Sequence, residues 1–141
     1  MAPKDPKLEL LRSIQLFARL GPREIERLGQ LFDEVDVPAD KVLMRQGQSG
    51  GEMFVVATGR LAVERDGVHI ADRGPGDVIG EIALLSEGPR TATVTTAEAC
   101  QLFVLGHREF HTLMNEQPAF RLQILDSLAR RIRALEVDAA H

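Results

Sequence analysis

One acidic and one basic residue stand nine positions apart in GEIALLSEGPRTATV, residues 80–94. The planar guanidinium of Arg90 matches two oxygens of a phosphate, and the carboxylate of Glu81 can accept a hydrogen bond from a hydroxyl. Gly80 allows a tight turn into a short helix, whose first amides could bind an anion. The segment therefore predicts a site for a ligand with phosphate and hydroxyl side by side, as in a ribose phosphate. Small residues that permit close approach are Ala83, Thr91, Ala92 and Thr93.

The same letters also fit an ordinary connection between two strands. Glu81 would then stand near the start of a helical turn, where the helix dipole favours a carboxylate. Arg90 would be a solvated strand residue, as most isolated surface charges are. The glycine and the small residues around the two charges favour the ligand-binding interpretation.

Helices are predicted before and after a central β-rich part. In LELLRSIQLFARLG apolar residues recur at intervals of three and four until Gly21, and Pro22 can open a second short helix. The sequence predicts one domain, 1–141, with a helical lead-in over residues 8–33, a barrel over 34–105 and closing helices over 107–137.

Short β-branched runs cut by Gly, Pro and Asp fill residues 34–105. LAVERDGVHIAD predicts two antiparallel strands joined by a tight turn at Asp66 and Gly67. The expected fold class is α+β, mainly β. Short antiparallel strands at this spacing indicate a sandwich or a jelly-roll barrel. The expected architecture is a short antiparallel jelly-roll barrel flanked by N-terminal helices and a C-terminal helix, with a short helix inside the barrel at the candidate phosphate site.

The closing helix carries a 3-4-3 series of apolar residues: Leu125, Leu128, Ile132 and Leu135. Core packing is the expected role of such a series. The alternatives are a lid over a bound ligand and a helix that pairs with a second copy of the chain.

The segment GEIALLSEGPRTATV closely resembles the phosphate-binding cassette of the cyclic nucleotide-binding domain family. That family includes the bacterial catabolite activator protein, regulatory subunits of protein kinase A and cyclic nucleotide-gated channels. Its pattern is Gly-Glu-apolar-Ala/Gly-apolar, several residues, then Arg-small-Ala. Gly47, Gly59 and the GDVIGE segment also stand where the family's barrel has its glycines and strand. The resemblance covers residues 8–136.

The resemblance implies a role for each cassette residue. Glu81 would bind the ribose 2′-hydroxyl, and Arg90 would pair with an exocyclic oxygen of a cyclic phosphate. The cyclic-nucleotide-binding set would be Gly80, Glu81, Ile82, Ala83, Arg90, Thr91 and Ala92, with the amides of residues 82, 83 and 92 completing the phosphate cradle. The walls for sugar and base would be Val63, Val78 and Ile79.

The implied ligand is cyclic AMP, with cyclic GMP as the alternative. Many members have aromatic residues where this chain has Val78 and Ile79. Thr91 resembles a residue that favours cyclic GMP in some eukaryotic members, but Ser or Thr also occurs there in bacterial cyclic AMP binders. The closing helix would respond to the ligand, and the lid over the base would come from Leu128, Arg130, Arg131, Ile132 and Leu135.

Composition narrows the class of protein. The net charge of -4 argues against direct nucleic-acid binding, and the absence of any apolar run near 18 residues argues against a membrane span. One cysteine cannot form an internal disulfide, so a reducing cytoplasm is expected. A small-molecule cyclic nucleotide is the expected partner, with a homodimer through the closing helix or an unidentified effector as the output. The chain would be either a free-standing sensor or a piece of a larger regulator.

Two other classes of function compete with nucleotide sensing. A family member that has lost its ligand would serve as an interaction module, against which the intact Glu81 and Arg90 argue. An enzyme of the metal-dependent jelly-roll type needs several clustered ligands, whereas His107 and His111 form only a pair on one helix face. Cys100 and Ser86 have no evident activating base. We therefore expect no catalytic residues, no bound metal and no catalytic cofactor.

Overall fold

The computed structural model describes residues 5–86 and 88–140, with side chains described as far as residue 137. Its helices are α1 (Pro6–Arg12), α2 (Pro22–Gly29), α3 (His107–Glu116) and α4 (Pro118–Ala140), with 3-10 turns at Gln15–Phe17 and Glu81–Leu84. Its strands are β1 (Asp33–Val37), β2 (Val42–Met44), β3 (Ser49–Gly50), β4 (Glu52–Thr58), β5 (Leu61–Arg65), β6 (Val68–Arg73), β7 (Val78–Ile79), β8 (Gly88–Pro89), β9 (Thr93–Thr96) and β10 (Cys100–Gly106).

The predicted helical lead-in is present but divided. Asp5 caps α1 by accepting a hydrogen bond from the amide of Lys7 at 2.9 Å. The run does not continue to Gly21, because the hydroxyl and the amide of Ser13 both bond to the carbonyl of Leu10 and close the helix. The helix α2 begins at Pro22 as predicted.

Two four-stranded antiparallel sheets form most of the β-rich part, in the orders β1-β10-β4-β7 and β2-β9-β5-β6, and β3 pairs with β8. The predicted mainly β class is confirmed. Among the described residues the sheets stay open rather than closing into a barrel, since β6 pairs only with β5 and β7 only with β4.

The first sheet is covered on both faces, which explains why Met53, Phe54, Val55 and Val56 are all buried. Met53 and Val55 pack into a core cluster with the helices. Phe54 and Val56 pack into a second cluster with residues of the other sheet. The predicted hairpin is also confirmed, because β5 and β6 meet at Asp66 (φ 53°) and Gly67 (φ 78°), the positive pair of a primed turn.

The face that α4 turns inward differs from the predicted one. Phe120, Ile124 and Ser127 are buried, whereas Leu125, Ile132 and Leu135 are 55%, 57% and 67% exposed. Of the predicted apolar series only Leu128 packs against the core. The core-packing interpretation of the other three is therefore wrong. α4 has apolar residues on two faces, and the face that carries the aromatic residue packs against α3. No helix among the described residues combines the length and apolarity needed to cross a membrane.

Candidate functional site

Gly80 sets the geometry of the segment that carries the two charged residues. It adopts φ 79°, a left-handed conformation that glycine tolerates best, and this turns the chain from β7 directly into the 3-10 turn that starts at Glu81. A Cβ at position 80 would also lie 2.6 Å from Nη1 of Arg90 and 2.8 Å from the carbonyl oxygen of Glu52. The turn and the close approach of Arg90 thus both require glycine.

Arg90 is held in a narrow slot by backbone contacts. Its side chain passes between Gly50 and Gly80, where any Cβ would collide with the guanidinium. Nη2 donates a hydrogen bond to the carbonyl of Glu52 at 2.8 Å. The backbone is fixed as well, because the amide of Arg90 donates to Gln48 and its carbonyl accepts from Gly47. The direction of this side chain is therefore set before any ligand arrives.

Arg90 is a half-buried cation with no ion-pair partner among the described residues. Burial lowers the pKa of Arg90, and the nearby charge of Glu52 partly offsets this effect. A guanidinium stays protonated at neutral pH despite such a shift. No carboxylate of the described residues forms an ion pair with it, so the charge is available to an anion.

Glu81, in contrast, already has a partner. Its Oε1 lies 3.0 Å from Nη1 of Arg131 on α4, and the two side chains are only 24% and 29% exposed. The contact is an ion pair and not an aligned hydrogen bond, since Nη1 is buried without a partner of hydrogen-bond geometry. This pair connects the cassette (residues 80–92) directly to the closing helix.

A cavity of about 310 Å³ opens beside the cassette. Nine of the predicted residues line it, and Glu81 lies next to it without being part of its wall. The cavity also contains Arg65 and Arg73, and no acidic side chain among the described residues lines it. Its charge therefore suits an anionic ligand. The predicted lining residues are Val63, Val78, Ile79, Gly80, Ile82, Ala83, Arg90, Thr91 and Ala92.

Arg65 is a lining residue that the sequence analysis missed. Alternation along β5 places Val63 and Arg65 on the same side of the strand, so the predicted wall at Val63 already pointed to it. Arg73 and Ile70 on β6 are further lining residues. Their position depends on the pairing of β5 with β6 and not on any motif.

The predicted phosphate cradle is only partly available. The amide of Ala83 donates to the carbonyl of Gly80 at 3.0 Å and is engaged inside the 3-10 turn. Among the described residues, the backbone hydrogen bonds of loops and turns use neither the amide of Ile82 nor that of Ala92. Two of the three predicted amides thus remain as candidates for an anion.

The predicted lid residues do not reach the cavity in this structure. Arg130 pairs with Asp126 at 3.0 Å, which lowers the pKa of Asp126 chiefly through that hydrogen bond. Leu128 is half-buried and packs against the core, and Ile132 and Leu135 are exposed to solvent. Within the described part of the cassette, Arg131 is the member of this group with an ion pair, which it forms with Glu81.

His107, His111 and Cys100, which were considered as metal ligands or nucleophiles, lie outside the cavity and contact other parts of the fold. The rings of His107 and His111 are in tilted contact, with centroids 4.1 Å apart, and Nδ1 of His107 lies 3.0 Å from the carbonyl oxygen of Ala83, to which it can only donate. Cys100 is buried and unpaired in β10. Within the described part of the chain no three His, Cys, Asp or Glu side chains are placed to hold a metal ion.

Comparison with known proteins identifies relatives of this site. The family model described as the cyclic nucleotide-binding domain matches residues 34–117, which include every lining residue of the cavity. The chain is 34% identical over 110 residues to a cyclic nucleotide-gated potassium channel of Mesorhizobium japonicum, covering 78% of the chain and 30% of the channel. It is 28% identical over 133 residues to the cyclic AMP receptor protein of Thermus thermophilus, covering 91% of the chain and 62% of that protein.

A solved structure agrees with these relatives. The N-terminal domain of a transcriptional regulator from Streptomyces coelicolor A3(2) superimposes with a TM-score of 0.83 at 33% identity, covering 89% of this chain and 94% of that one. The chain spans less than two thirds of the length of either sequence relative.

Proposed function

This chain belongs to the cyclic nucleotide-binding domain family, as its cassette motif predicted, and we propose that it is a regulatory sensor of 3′,5′-cyclic AMP. The observation that carries the proposal is Arg90, a preoriented cation that lines the cavity and has no carboxylate partner among the described residues. In this proposal the chain binds the nucleotide and carries out no reaction on it.

The phosphate binds at the Arg90 end of the cavity. Nη2 is engaged by the carbonyl of Glu52, which leaves Nε and Nη1 as donors for phosphate oxygens. The amides of Ile82 and Ala92 add uncharged donors close to the same place. Since the guanidinium is half-buried and already oriented by its slot, little further reorganisation opposes binding.

The ribose binds at Glu81. A carboxylate offers about four acceptor directions, so the contact of Oε1 with Arg131 leaves Oε2 available for the 2′-hydroxyl. Glu81 would then accept from the sugar and from α4 at the same time. Ligand binding and the position of α4 are linked in this way. The free energy of this coupling equals the difference in the ligand's binding free energy between two arrangements of the helix.

The base lies along the apolar wall of Val63, Val78 and Ile79. This wall suits either purine, and we favour adenine because the chain resembles a cyclic AMP receptor protein over most of its length. Thr91 is exposed at the rim, where a guanine amino group could also reach it, so cyclic GMP is the alternative ligand. A cytoplasmic location fits such a ligand and fits the single unpaired thiol of Cys100.

The exposed apolar stripe of α4 is the proposed output surface, and we assign it to a second copy of the chain. The stripe consists of the exposed residues Leu125, Ile132 and Leu135. Leu125 and Ile132 lie seven residues apart, the heptad repeat of a two-helix coiled coil, and half-buried Leu128, which also packs against the core, stands seven residues before Leu135. Sedimentation equilibrium of the wild type and of Leu125→Glu/Ile132→Glu tests this assignment. We expect a wild-type dimer and a monomeric variant. A wild-type monomer in sedimentation would refute this assignment. Amide exchange that shows the stripe protected only after cyclic AMP is added would also refute it, and would favour α4 closing on its own domain.

Titration calorimetry with cyclic AMP, cyclic GMP and linear AMP tests the proposed ligand. We expect saturable one-to-one binding that is tightest for cyclic AMP. A thermal-unfolding series should agree, since a ligand at 100 times its Kd adds about 2.7 kcal/mol to the free energy of unfolding. Tighter binding of cyclic GMP would select the alternative ligand, and no binding of any of the three would favour an interaction module.

A further inference from the structure

The tip of the β5–β6 hairpin, residues 65–68, lies beside the cavity and takes part in an unusual set of contacts. Arg65 lines the cavity from the end of β5. The two residues that follow it, Asp66 and Gly67, both have positive φ, which fixes the shape of the turn. The hairpin tip is therefore a rigid loop that could hold a side chain at a set position.

Gln46 pins the hairpin tip from the neighbouring loop. Its Nε2 donates to Oδ1 of Asp66 at 2.8 Å, and its Oε1 accepts from the amide of Asp66 at 2.8 Å. Two parallel bonds of this kind fix both the distance and the orientation of the partners. The pair joins segments 20 residues apart in the chain, neither of which needs the other for its own turn.

The loop that carries Gln46 also holds the backbone around Arg90. The amide of Gln46 donates to the hydroxyl of Thr93 at 3.0 Å, the amide of Gly47 donates to the carbonyl of Arg90 at 2.8 Å, and the amide of Arg90 donates to Gln48 at 2.9 Å. One short loop thus fixes the hairpin tip and the cassette relative to each other.

Arg65 connects the hairpin tip directly to the cassette. Its Nε donates to the carbonyl of Thr91 at 3.2 Å, one residue after Arg90. No described residue accepts a hydrogen bond from its two Nη nitrogens or forms an ion pair with them. The guanidinium is therefore anchored by one edge while its remaining donors are free at the wall of the cavity.

We propose that Arg65 is a second arginine that binds the anionic group of the ligand, and that Gln46 is its positioning residue, acting through the pair with Asp66. The inference rests on the proposed nucleotide binding and adds to it a second cation outside the cassette. The carbonyl of Thr91 anchors Arg65 by its Nε at the wall of the cavity. Because Arg65 is exposed, its contribution is smaller than that of Arg90 and is screened by salt.

The variant Arg65→Gln tests the binding role, with Arg23→Gln as a control that removes the same charge from an exposed position on α2. In calorimetry at low salt we expect Arg65→Gln to weaken binding of cyclic AMP about tenfold, equivalent to ~1.4 kcal/mol. The loss should shrink as salt is raised, because exposed charges are screened. Arg23→Gln should bind like the wild type. A loss for Arg65→Gln that does not change with salt would overturn the anion-binding role and leave only the anchoring of Thr91.

A reversal of the pair at positions 46 and 66 tests the positioning role. Gln46→Glu alone places two carboxylates face to face and should weaken binding by the same factor as Arg65→Gln. Asp66→Asn alone keeps both bonds, since its Oδ1 can still accept and asparagine tolerates positive φ. Gln46→Glu/Asp66→Asn restores the side-chain bond with its donor and acceptor exchanged and keeps the bond from the backbone amide of residue 66, so it should recover wild-type affinity. Added to Arg65→Gln, Gln46→Glu should cost nothing more, as expected for residues that act as a unit.

The controls separate failure of this inference from failure of the proposed function. If the wild type binds no cyclic nucleotide, the proposed function and the anion-binding role of Arg65 both fail, and the positioning role of Gln46 is then tested by amide exchange at residues 90–93 of the ligand-free chain. Gln46→Glu should speed that exchange and the double variant should restore it. If the wild type binds and Gln46→Glu binds equally well, the positioning role is refuted.

Discussion

The two ends of the candidate site are in different states. At one end Arg90 has no carboxylate partner among the described residues and is fixed by backbone contacts within the β-rich part. At the other end Glu81 is already paired with Arg131 of α4. The sheet and its loops therefore preform the proposed phosphate contact, whereas the proposed sugar contact is shared with the helix that must respond. Affinity should depend mostly on the first end and the response mostly on the second.

Removal of Arg90 should have the largest effect. Truncating one partner of a partly dehydrated, charge-assisted pair costs on the order of 2–5 kcal/mol, so Arg90→Gln should weaken binding roughly 30-fold to several-thousand-fold. Arg90→Lys is the matched variant, since it keeps the charge but loses the planar fork. Its affinity for cyclic AMP should lie between those of the wild type and Arg90→Gln. Calorimetry with cyclic AMP measures all three. Wild-type affinity in Arg90→Gln would show that the anion binds elsewhere.

Removal of Glu81 should cost less. A hydrogen bond to a charged group contributes roughly 1.5–3 kcal/mol, which predicts a loss of about ten- to 150-fold for Glu81→Ala. The 2′-deoxy form of cyclic AMP provides the control, because it should bind wild type and Glu81→Ala with similar weak affinity. If the deoxy ligand binds wild type as well as cyclic AMP does, Glu81 does not hold the sugar.

Removal of Arg131 should separate affinity from response. The pair with Glu81 is partly exposed, and such pairs contribute about 0.2–1 kcal/mol, so Arg131→Gln should change affinity by no more than about fivefold. Hydrogen exchange of α4 should change on ligand binding in the wild type and stay unchanged in the variant. An equal ligand-induced change in both chains would contradict a link through Glu81.

The contact between Arg130 and Asp126, both on α4, provides a comparison for the pair of Arg131 and Glu81, and its removal should have the smallest effect. Arg130 donates to Asp126, away from the cavity, and lowers the pKa of that carboxyl. A lowered pKa in the folded chain stabilises it at neutral pH, and the contribution is lost as the pH falls below about 4. Asp126→Asn should be slightly less stable at pH 7 and equally stable in acid by urea unfolding, with unchanged affinity for cyclic AMP. Weaker binding would show that α4 contributes through more than Arg131.

Local patterns predicted the parts of the site that lie close together in sequence. Gly80 with Glu81, the small residues around Arg90 and the Asp66–Gly67 turn each carry a backbone or packing requirement within a few residues. The pair between Glu81 and Arg131 joins segments 50 positions apart, and no spacing rule connects them. Position 131 was nevertheless among the predicted lid residues, although the contact that the structure shows for it is with the carboxylate of Glu81.

The sequence did not predict which face of α4 turns inward, nor the proposed role of Gln46, because both depend on contacts between different segments of the chain. Apolar residues on two faces of α4 leave its orientation undetermined until Phe120 meets Phe110, with ring centroids 5.6 Å apart. Gln46 stands in a loop where glutamine is an ordinary surface residue. Its function follows only from the side-chain amide pair with Asp66.

The most direct test of nucleotide binding at Arg90 is a titration of ¹⁵N-labelled chain with cyclic AMP, followed by NMR at the arginine Nε–H signals, with Arg90→Lys used to assign the resonance. We expect the Arg90 Nε–H signal to shift with the same saturation curve as the calorimetric heat, together with the amide of Ala92. Binding heat without a shift at either group, or shifts confined to α2 and α3, would contradict the assignment of this cavity as the nucleotide site.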